Sequence, residues 1–155
     1  MSGTGKSALI EELRRRGYAA YDADDDGFTS PLGHGGWGWR AELVRELFDA
    51  FESQLLFFAG CSDEQGLFDF DLKVLLAAPE AVIVERLQTR ASNPYGRRKP
   101  ELERFLRDLR TVEPVLRSSA DLVVDATLPL AQVADRVIEK VARLRDRSAT
   151  GSGDI

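Results

Sequence analysis

The sequence predicts an α/β domain in which a parallel sheet has helices on both faces. Short apolar runs of four or five residues alternate with longer segments whose apolar residues recur every three or four positions. Continuous apolar runs of this length are typical of strands buried on both faces, as in parallel sheets. A glycine-rich segment ending in Lys6-Ser7 stands immediately before the first helical segment. With 155 residues and 43% hydrophobic content, the chain suits one such domain.

The first seven residues, Met1-Ser2-Gly3-Thr4-Gly5-Lys6-Ser7, predict a phosphate-binding loop that opens a helix. Glycines let successive backbone N–H groups point inward, and the helix N-terminus adds partial positive charge. Lys6 would reach the β and γ phosphates, and the Ser7 hydroxyl would bind a magnesium ion. The segment matches the pattern G-x-x-x-x-G-K-S/T except for its first glycine, which would fall one position before Met1. The alternative is a flexible N-terminal segment that binds nothing.

Composition and charge favour small-molecule chemistry. A net charge of −5 argues against a nucleic-acid partner, because phosphate contacts need a basic surface. The single cysteine, Cys61, excludes an internal disulfide and a multi-cysteine zinc site, which fits a reducing compartment. No apolar run approaches the roughly 18 residues of a membrane span, and the N-terminus lacks the apolar stretch of a signal peptide. We therefore expect a cytoplasmic protein without a membrane partner.

The first helix is expected from Lys6 or Ser7 to Arg16, and residues 18–21 then predict a short strand. That strand ends in Asp22-Ala23-Asp24-Asp25-Asp26-Gly27. Open α/β sheets place their ligands at the carboxyl ends of strands, and crowded carboxylates favour a nearby cation. Asp22 and Asp24 are the preferred candidates for such a site. The alternative, a solvated acidic turn, is favoured for Asp25 and Asp26.

Residues 29–38 predict a connector rich in glycine and proline and are a candidate substrate lid. Trp37 and the neighbouring Trp39 could offer a flat surface to a ligand or could pack in the core. His34 has no second histidine or cysteine nearby to complete a metal site, so it is assigned no role. An amphipathic helix over 41–51 and a buried strand over 55–59 follow. Gly60, at the end of this strand, either admits a ligand closely or only turns the chain.

The next strand, 73–77, leads to a helix over 79–89 whose inner face is expected to comprise Val82, Ile83 and Leu87. Arg86 and Arg90 lie one helical turn apart, so that both guanidinium groups could converge on a phosphate or stack over a base. Residues 91–100 contain three consecutive cations and predict a mobile basic lid over a triphosphate. The alternative for this loop is a solvated run of charge.

The rest of the chain predicts a helix, a strand and a final helix. The first of these spans 101–116, and Pro114 is expected to kink its end. Its apolar side is expected to comprise Leu102, Phe105, Leu106, Leu109, Val112 and Leu116. Residues 122–124 predict the last strand, and 125–127 form a turn. The inner face of the final helix is expected to comprise Leu130, Val133, Ala134, Val137, Ile138 and Val141. The folded domain is expected to end near residue 145, and 146–155 are expected to be disordered.

Together these residues resemble the P-loop small-molecule kinases of the nucleoside-monophosphate-kinase and shikimate-kinase type, an AAA-like ATP-binding group. The resemblance covers Met1 to about Arg145. It rests on the glycine-rich loop, the aspartates after the first predicted strand, the R-x-x-x-R pair with its basic lid, and the closing strand, turn and helix. Asn93-Pro94-Tyr95-Gly96 is similar to the lid of a little-characterised kinase-like branch of that group.

The resemblance implies a P-loop NTPase fold of three αβα layers, with ATP as phosphoryl donor and Mg²⁺ as cofactor. It implies nucleotide binding by a set of residues in the loop, the arginine pair and the last turn: Gly3, Thr4, Gly5, Lys6, Ser7, Ala8, Arg86, Arg90, Asp125 and Pro129. It implies metal binding by Ser7 and Asp22. It implies catalytic roles for Lys6 and Arg86, and for Asp22 and Asp24, which match a D-x-D pair that holds metal-bound water and the acceptor hydroxyl.

The same resemblance implies five parallel strands, of which the first and central one would precede Met1. We therefore expect that this strand is missing from the chain and that roughly ten more residues ending in the absent glycine precede Met1 in the native protein. The 155-residue chain is then expected to be poorly stable or to self-associate through the open sheet. The expected function is transfer of a phosphoryl group from ATP to a hydroxyl or phosphate group of an unidentified small molecule. Two alternatives stay open: a nucleotide-binding regulatory module without transferase activity, and a degraded, inactive paralogue.

Overall fold

The computed structural model of the chain describes residues 3–32, 36–89 and 98–151. Helices and strands alternate along it, which confirms the predicted α/β class. The elements, in order, are α1 (Lys6–Arg15), β1 (Ala19–Asp22), β2 (Thr29–Pro31), β3 (Trp37–Trp39), α2 (Ala41–Ala50), β4 (Leu56–Ala59), a 3-10 helix (Asp63–Leu67), β5 (Val74–Ala77), α3 (Glu80–Thr89), α4 (Lys99–Ser119), β6 (Leu122–Asp125) and α5 (Leu130–Gly151).

The contacts divide the chain into two compact units, where the sequence predicted one domain. The first unit is Gly5–Phe70, and the second comprises Gly3 and Thr4 together with residues 71–151. In the first unit β1 pairs in parallel with β4, from Ala19 opposite Leu56 to Asp22 opposite Ala59. Both strands therefore end at the same edge. In the second unit β5 pairs in parallel with β6, from Val74 opposite Leu122 to Ala77 opposite Asp125.

The two parallel pairs are separate two-stranded sheets in the part of the chain that the structure describes. The resemblance implied a single sheet, and the sequence predicted strands buried on both faces. Instead, all four residues of β4 are half-buried, and Val123 of β6 is exposed. A strand that is hydrogen-bonded along one edge only leaves its other edge accessible, so complete burial of these runs was a wrong expectation.

The connector predicted over 29–38 is instead partly an antiparallel hairpin of β2 and β3, with Ser30 opposite Gly38. The hairpin places Trp39 in an aromatic core that also contains Phe28, Phe48, Phe58, Phe68 and Phe70. The indole of Trp39 is 8% exposed and meets the ring of Phe58 edge-on, with centroids 5.1 Å apart. Trp37 is 66% exposed. The two tryptophans thus differ, although residues two apart on a strand share one face: Trp39 packs in the core and Trp37 is exposed.

Gly60 makes room for the Trp39 indole. A Cβ at position 60 would lie 2.8 Å from Cζ2 of Trp39 and 3.0 Å from Cβ of Ala23, closer than carbon atoms can pack. The indole cannot yield, since the surrounding phenylalanine rings hold it. In the structure the glycine therefore serves core packing.

We expect Gly60→Ala to lower the free energy of unfolding by about 1–3 kcal/mol, the usual cost of overpacking a core. Urea denaturation followed by tryptophan fluorescence measures this loss. The matched control is Gly66→Ala, because nothing lies within 4 Å of a Cβ at that position. Equal midpoints for the two variants would contradict the packing role of Gly60.

Helix α1 contains a nearly buried acidic residue, Glu12, between two arginines. Its carboxylate accepts hydrogen bonds from Arg15 at 2.8 Å and from Arg16 at 2.7 Å. These bonds, first from Arg15 and then from Arg16, lower the pKa of Glu12 from its ordinary 4.5 to about 2. The folded state therefore favours the charged carboxylate, and this contribution to stability is complete above about pH 4.5.

We expect the stabilisation by Glu12 to disappear as the pH falls from about 4.5 to about 2, because the unfolded chain takes up the proton first. Melting temperatures of the wild type and of Glu12→Gln should therefore converge over this range. Glu46→Gln, which removes an exposed carboxylate from α2, is the control. The difference between its melting temperature and that of the wild type should stay constant over this pH range. A constant gap between Glu12→Gln and the wild type down to pH 2 would refute the assignment.

The second unit packs its three helices through periodic apolar side chains, as predicted. The buried members are Ile83 and Leu87 of α3, Phe105 and Leu109 of α4, and Val133, Ala134 and Val137 of α5. Two details differ from the prediction: Val112 is exposed, and Leu130 is 39% exposed. Helix α4 begins at Lys99, within the predicted lid, and continues past Pro114 to Ser119.

The final helix runs to Gly151, beyond the boundary predicted near residue 145. Residues 1–2, residues 33–35 with His34, Arg90, residues 91–97 of the predicted lid and residues 152–155 lie outside the described residues. Among the helices that the structure describes, none combines the length and the apolar character that crossing a membrane requires.

Candidate functional site

The glycine-rich loop has the backbone conformation that its glycines were predicted to supply. Gly3 and Gly5 have φ angles of 78° and 91°, in the left-handed region that favours glycine. Helix α1 begins directly after Gly5, whose carbonyl accepts the N–H of Leu9 at 3.0 Å. No described side chain caps this helix, and its first turn contains no acidic residue. The first N–H groups and the positive end of the helix dipole are therefore suited to an anion.

Lys6 and Ser7 are the first two residues of α1, and Ala8 is exposed beside them. The Ser7 hydroxyl donates a hydrogen bond of 2.7 Å to Oδ2 of Asp22. Asp22 is the last residue of β1 and is only 3% exposed. The structure thus brings together the two residues that the resemblance assigned to the metal, although 15 positions separate them in the chain.

The turn after β1 is folded around the Asp22 carboxylate. Its Oδ1 accepts the backbone N–H of Asp24 at 3.0 Å, while the Asp24 side chain is exposed. The pKa of the adjacent Asp25 is raised, mainly by burial and then by the negative charge of Asp22. Negative charge is therefore concentrated in front of Ser7, which favours a cation there.

Sequence reasoning assigned no role to Arg14 and favoured a solvated position for Asp26. In the structure Oδ2 of Asp26 accepts the backbone N–H of Asp22 at 2.7 Å and pairs with the guanidinium of Arg14. Nε of Arg14 also donates to the carbonyl of Ala20 at 2.7 Å. Arg14 and Asp26 therefore hold the end of β1 and fix the backbone that presents Asp22. Neither residue belongs to a recognisable pattern, because the contact joins a helix to a turn 12 residues later.

The donor set fits a magnesium ion bound together with phosphates. Among the described residues no group of three or more histidine, cysteine, aspartate or glutamate side chains could hold a metal ion by itself. Mg²⁺ does not need such a cage, since it commonly keeps several waters and binds one or two protein oxygens plus substrate phosphates. The Ser7 hydroxyl and the Asp22 carboxylate are oxygen donors of this kind.

The second unit contains the remaining predicted residues that the structure describes. Nη2 of Arg86 donates a hydrogen bond of 2.7 Å to the carbonyl of Ala126, in the turn after β6. The Asp125 carboxylate accepts the N–H and the hydroxyl of Thr127 at 2.8 and 2.6 Å. Pro129 precedes α5, and its carbonyl accepts the N–H groups of Gln132 and Val133. Gly3 and the 4% exposed Thr4 belong to this unit, whereas Arg90 lies outside the described residues.

Comparison with models of known protein families and with curated protein sequences found no significant match. The site itself combines the left-handed Gly5, an uncapped helix N-terminus, and a serine hydroxyl bonded to a buried aspartate.

Proposed function

We propose that this chain is a P-loop kinase that transfers a phosphoryl group from MgATP to a hydroxyl or phosphate group of a small molecule. The observation that carries the proposal is the hydrogen bond between Ser7, at the start of α1, and the buried carboxylate of Asp22. A hydroxyl that follows a glycine-lysine loop and bonds a carboxylate at the end of a parallel strand is an arrangement suited to magnesium-bound phosphates. The proposal includes the fold: a three-layer αβα P-loop NTPase.

The chemistry needs little from the protein beyond position and charge. Transfer of a γ-phosphoryl group spreads negative charge over three oxygens, and a magnesium ion, when bound, neutralises part of it. The N–H groups at the start of α1 bind the phosphates, and the Lys6 ammonium stabilises the charge that develops in the transition state. Asp22 or Asp24 orients the acceptor hydroxyl and takes its proton. Asp24 is the exposed member of the pair, and Asp22 is buried against Ser7.

An assay of MgATP-dependent ADP release over a panel of sugars, nucleoside monophosphates and hydroxy acids tests the proposal. One acceptor class should raise ADP release well above the rate with water alone. Titration of the protein with a fluorescent ATP analogue, with and without Mg²⁺, distinguishes the other outcomes. Saturable binding without transfer to any acceptor would favour a nucleotide-binding regulatory module. No binding would refute the proposal.

A further inference from the structure

Strand β1 of the first unit has one edge bonded to a strand and one edge that faces away from it. Of the strands that the structure describes, only β4 pairs with β1. The N–H of Ala23 continues this pairing by donating to the carbonyl of Ala59 at 2.8 Å. Because successive residues of a strand direct their peptide groups to opposite edges, the polar groups of Ala20 and Asp22 face away from β4. These outward groups need other partners.

Two side chains that bond each other supply those partners. Nε of Arg14 donates to the carbonyl of Ala20 at 2.7 Å, and the N–H of Asp22 donates to Oδ2 of Asp26 at 2.7 Å. The same oxygen of Asp26 accepts Nη2 of Arg14. The guanidinium also lies over the ring of Tyr21, 5.9 Å from its centroid. Arg14 and Asp26 therefore bond the edge groups that a further strand would otherwise bond.

Asp22 is held at its main chain and at both oxygens of its carboxylate. Its N–H is bonded to Asp26, its Oδ2 accepts the Ser7 hydroxyl at 2.7 Å, and its Oδ1 accepts the N–H of Asp24 at 3.0 Å. Ser7 and Arg14 lie seven positions apart on α1, which puts them on one side of the helix. Helix α1 therefore bonds the carboxylate of Asp22 through Ser7 and the end of β1 through Arg14.

We infer that Arg14 and Asp26 are positioning residues that fix the carboxylate of Asp22 for magnesium. This inference rests on the proposed function, in which the Ser7 hydroxyl and the Asp22 carboxylate bind the ion together with phosphates. Groups that bond a metal ligand hold its orientation, and their loss commonly weakens metal binding by about 10- to 100-fold. Arg14 and Asp26 act through the backbone of β1, so that their loss leaves both proposed ligands in the chain but lets Asp22 move.

Charge and position predict opposite effects for the loss of Arg14. Arg14→Met keeps an apolar stem and removes a positive charge that is paired with the acidic turn. By charge alone, this loss would favour a cation at Asp22 and tighten magnesium binding. If Arg14 positions Asp22, the same substitution weakens magnesium binding, because the carboxylate is no longer fixed. Arg14→Lys keeps the charge and one donor, and it should restore part of the affinity.

The first test measures the end of β1 in the full chain without any ligand. Amide hydrogen exchange at Asp22, whose N–H is bonded to Asp26, reports release of this strand end. We expect exchange about tenfold faster in Arg14→Met, as for the loss of one hydrogen bond, and an intermediate rate in Arg14→Lys. The matched control is Arg45→Met, which removes an exposed arginine of the same unit that also lies over an aromatic ring, that of Phe68. It should leave the exchange unchanged.

The second test measures magnesium binding. Mg²⁺ is titrated at a saturating concentration of ADP, and the melting temperature is recorded at each step. We expect the Mg²⁺ concentration that gives half of the rise to be about tenfold higher in Arg14→Met than in the wild type. The Mg²⁺ dependence of phosphoryl transfer should shift equally, while kcat at saturating Mg²⁺ stays within about threefold of the wild type. Arg45→Met should match the wild type in both measurements.

The outcomes are distinguishable, and Arg14→Lys supplies the same measurements if Arg14→Met does not fold. Unchanged exchange at Asp22 would overturn the inference even if the protein is a kinase. Tighter magnesium binding would also overturn it, because Arg14 would then act only through its charge. So would a lower kcat at an unchanged Mg²⁺ midpoint, which would mean that Arg14 acts on the reaction itself.

Failure of the proposed function gives a different result. A wild type whose melting temperature does not respond to Mg²⁺ and ADP would refute the proposed function and, with it, the magnesium role of Arg14 and Asp26. Faster exchange at Asp22 in Arg14→Met would then show that the two residues serve only the fold.

Discussion

Lys6→Ala is expected to reduce phosphoryl transfer by about 10³-fold and to leave the fold intact. Loss of a single cation or donor that stabilises transferring charge typically costs a factor of about 10² to 10⁵ in kcat. Lys6 is the first residue of α1, half-buried directly after the left-handed Gly5. It is not a member of the apolar core, whose nearest members on this helix are Leu9, Ile10 and Leu13.

Activity of Lys6→Ala should be measured with the acceptor that the panel identifies, together with the melting temperature of the free protein. Lys73→Ala removes an exposed lysine that precedes β5 and is the matched control for the loss of one positive charge. We expect wild-type rates for the control and nearly equal melting temperatures for all three proteins. Wild-type turnover in Lys6→Ala would refute the assignment of the loop.

The fold could be predicted from the sequence where buried apolar side chains recur at a regular spacing along the chain. The inner faces of α3 and α5 were predicted residue by residue at Ile83, Leu87, Val133 and Val137, because the 3.6-residue repeat encodes them directly. The hairpin of β2 and β3 was missed, since strands of three residues are too short to show an alternating pattern. Which tryptophan is buried depends on the pairing of Trp39 with distant aromatic rings, which no local pattern records.

The candidate site was predictable to the extent that its residues occupy standard positions in a motif. The loop and Asp22 stand at such positions, and the structure joins Ser7 to Asp22. Arg14 and Asp26 could not be predicted, because their roles arise from long-range contacts between a helix and a turn. The hydrogen bond from Arg86 to the carbonyl of Ala126 joins residues 40 positions apart, and it was missed for the same reason.

Asp22→Asn is expected to lower kcat by about 10² to 10⁴, the usual contribution of a positioned general base. The side chain is 3% exposed and accepts hydrogen bonds from the Ser7 hydroxyl and from the N–H of Asp24. Asparagine has the same shape and keeps one acceptor oxygen, but it lacks the negative charge. It can therefore support the turn without attracting a cation or taking a proton.

The free energy of unfolding of the free variant should not fall. Asp22 repels the carboxylate of Asp25, whose pKa is raised by burial and by this charge. Removing the charge relieves the repulsion and offsets the weaker hydrogen bond to Ser7. The activity loss would then be separable from any loss of structure, as expected for a residue that serves the chemistry at some cost in stability.

Thermal melts with and without MgATP, combined with the transfer assay, measure both effects of Asp22→Asn. The wild type should melt at a higher temperature when MgATP is added, because a ligand that binds only the folded state stabilises it. In Asp22→Asn we expect this rise to shrink and transfer to be nearly lost, while the melting temperature without ligand stays at or above that of the wild type. Asp49→Asn, at an exposed position of α2, controls for the loss of one negative charge and should match the wild type in every measurement. Full transfer in Asp22→Asn, or an undiminished response to MgATP, would show that the bond between Ser7 and Asp22 serves only the fold.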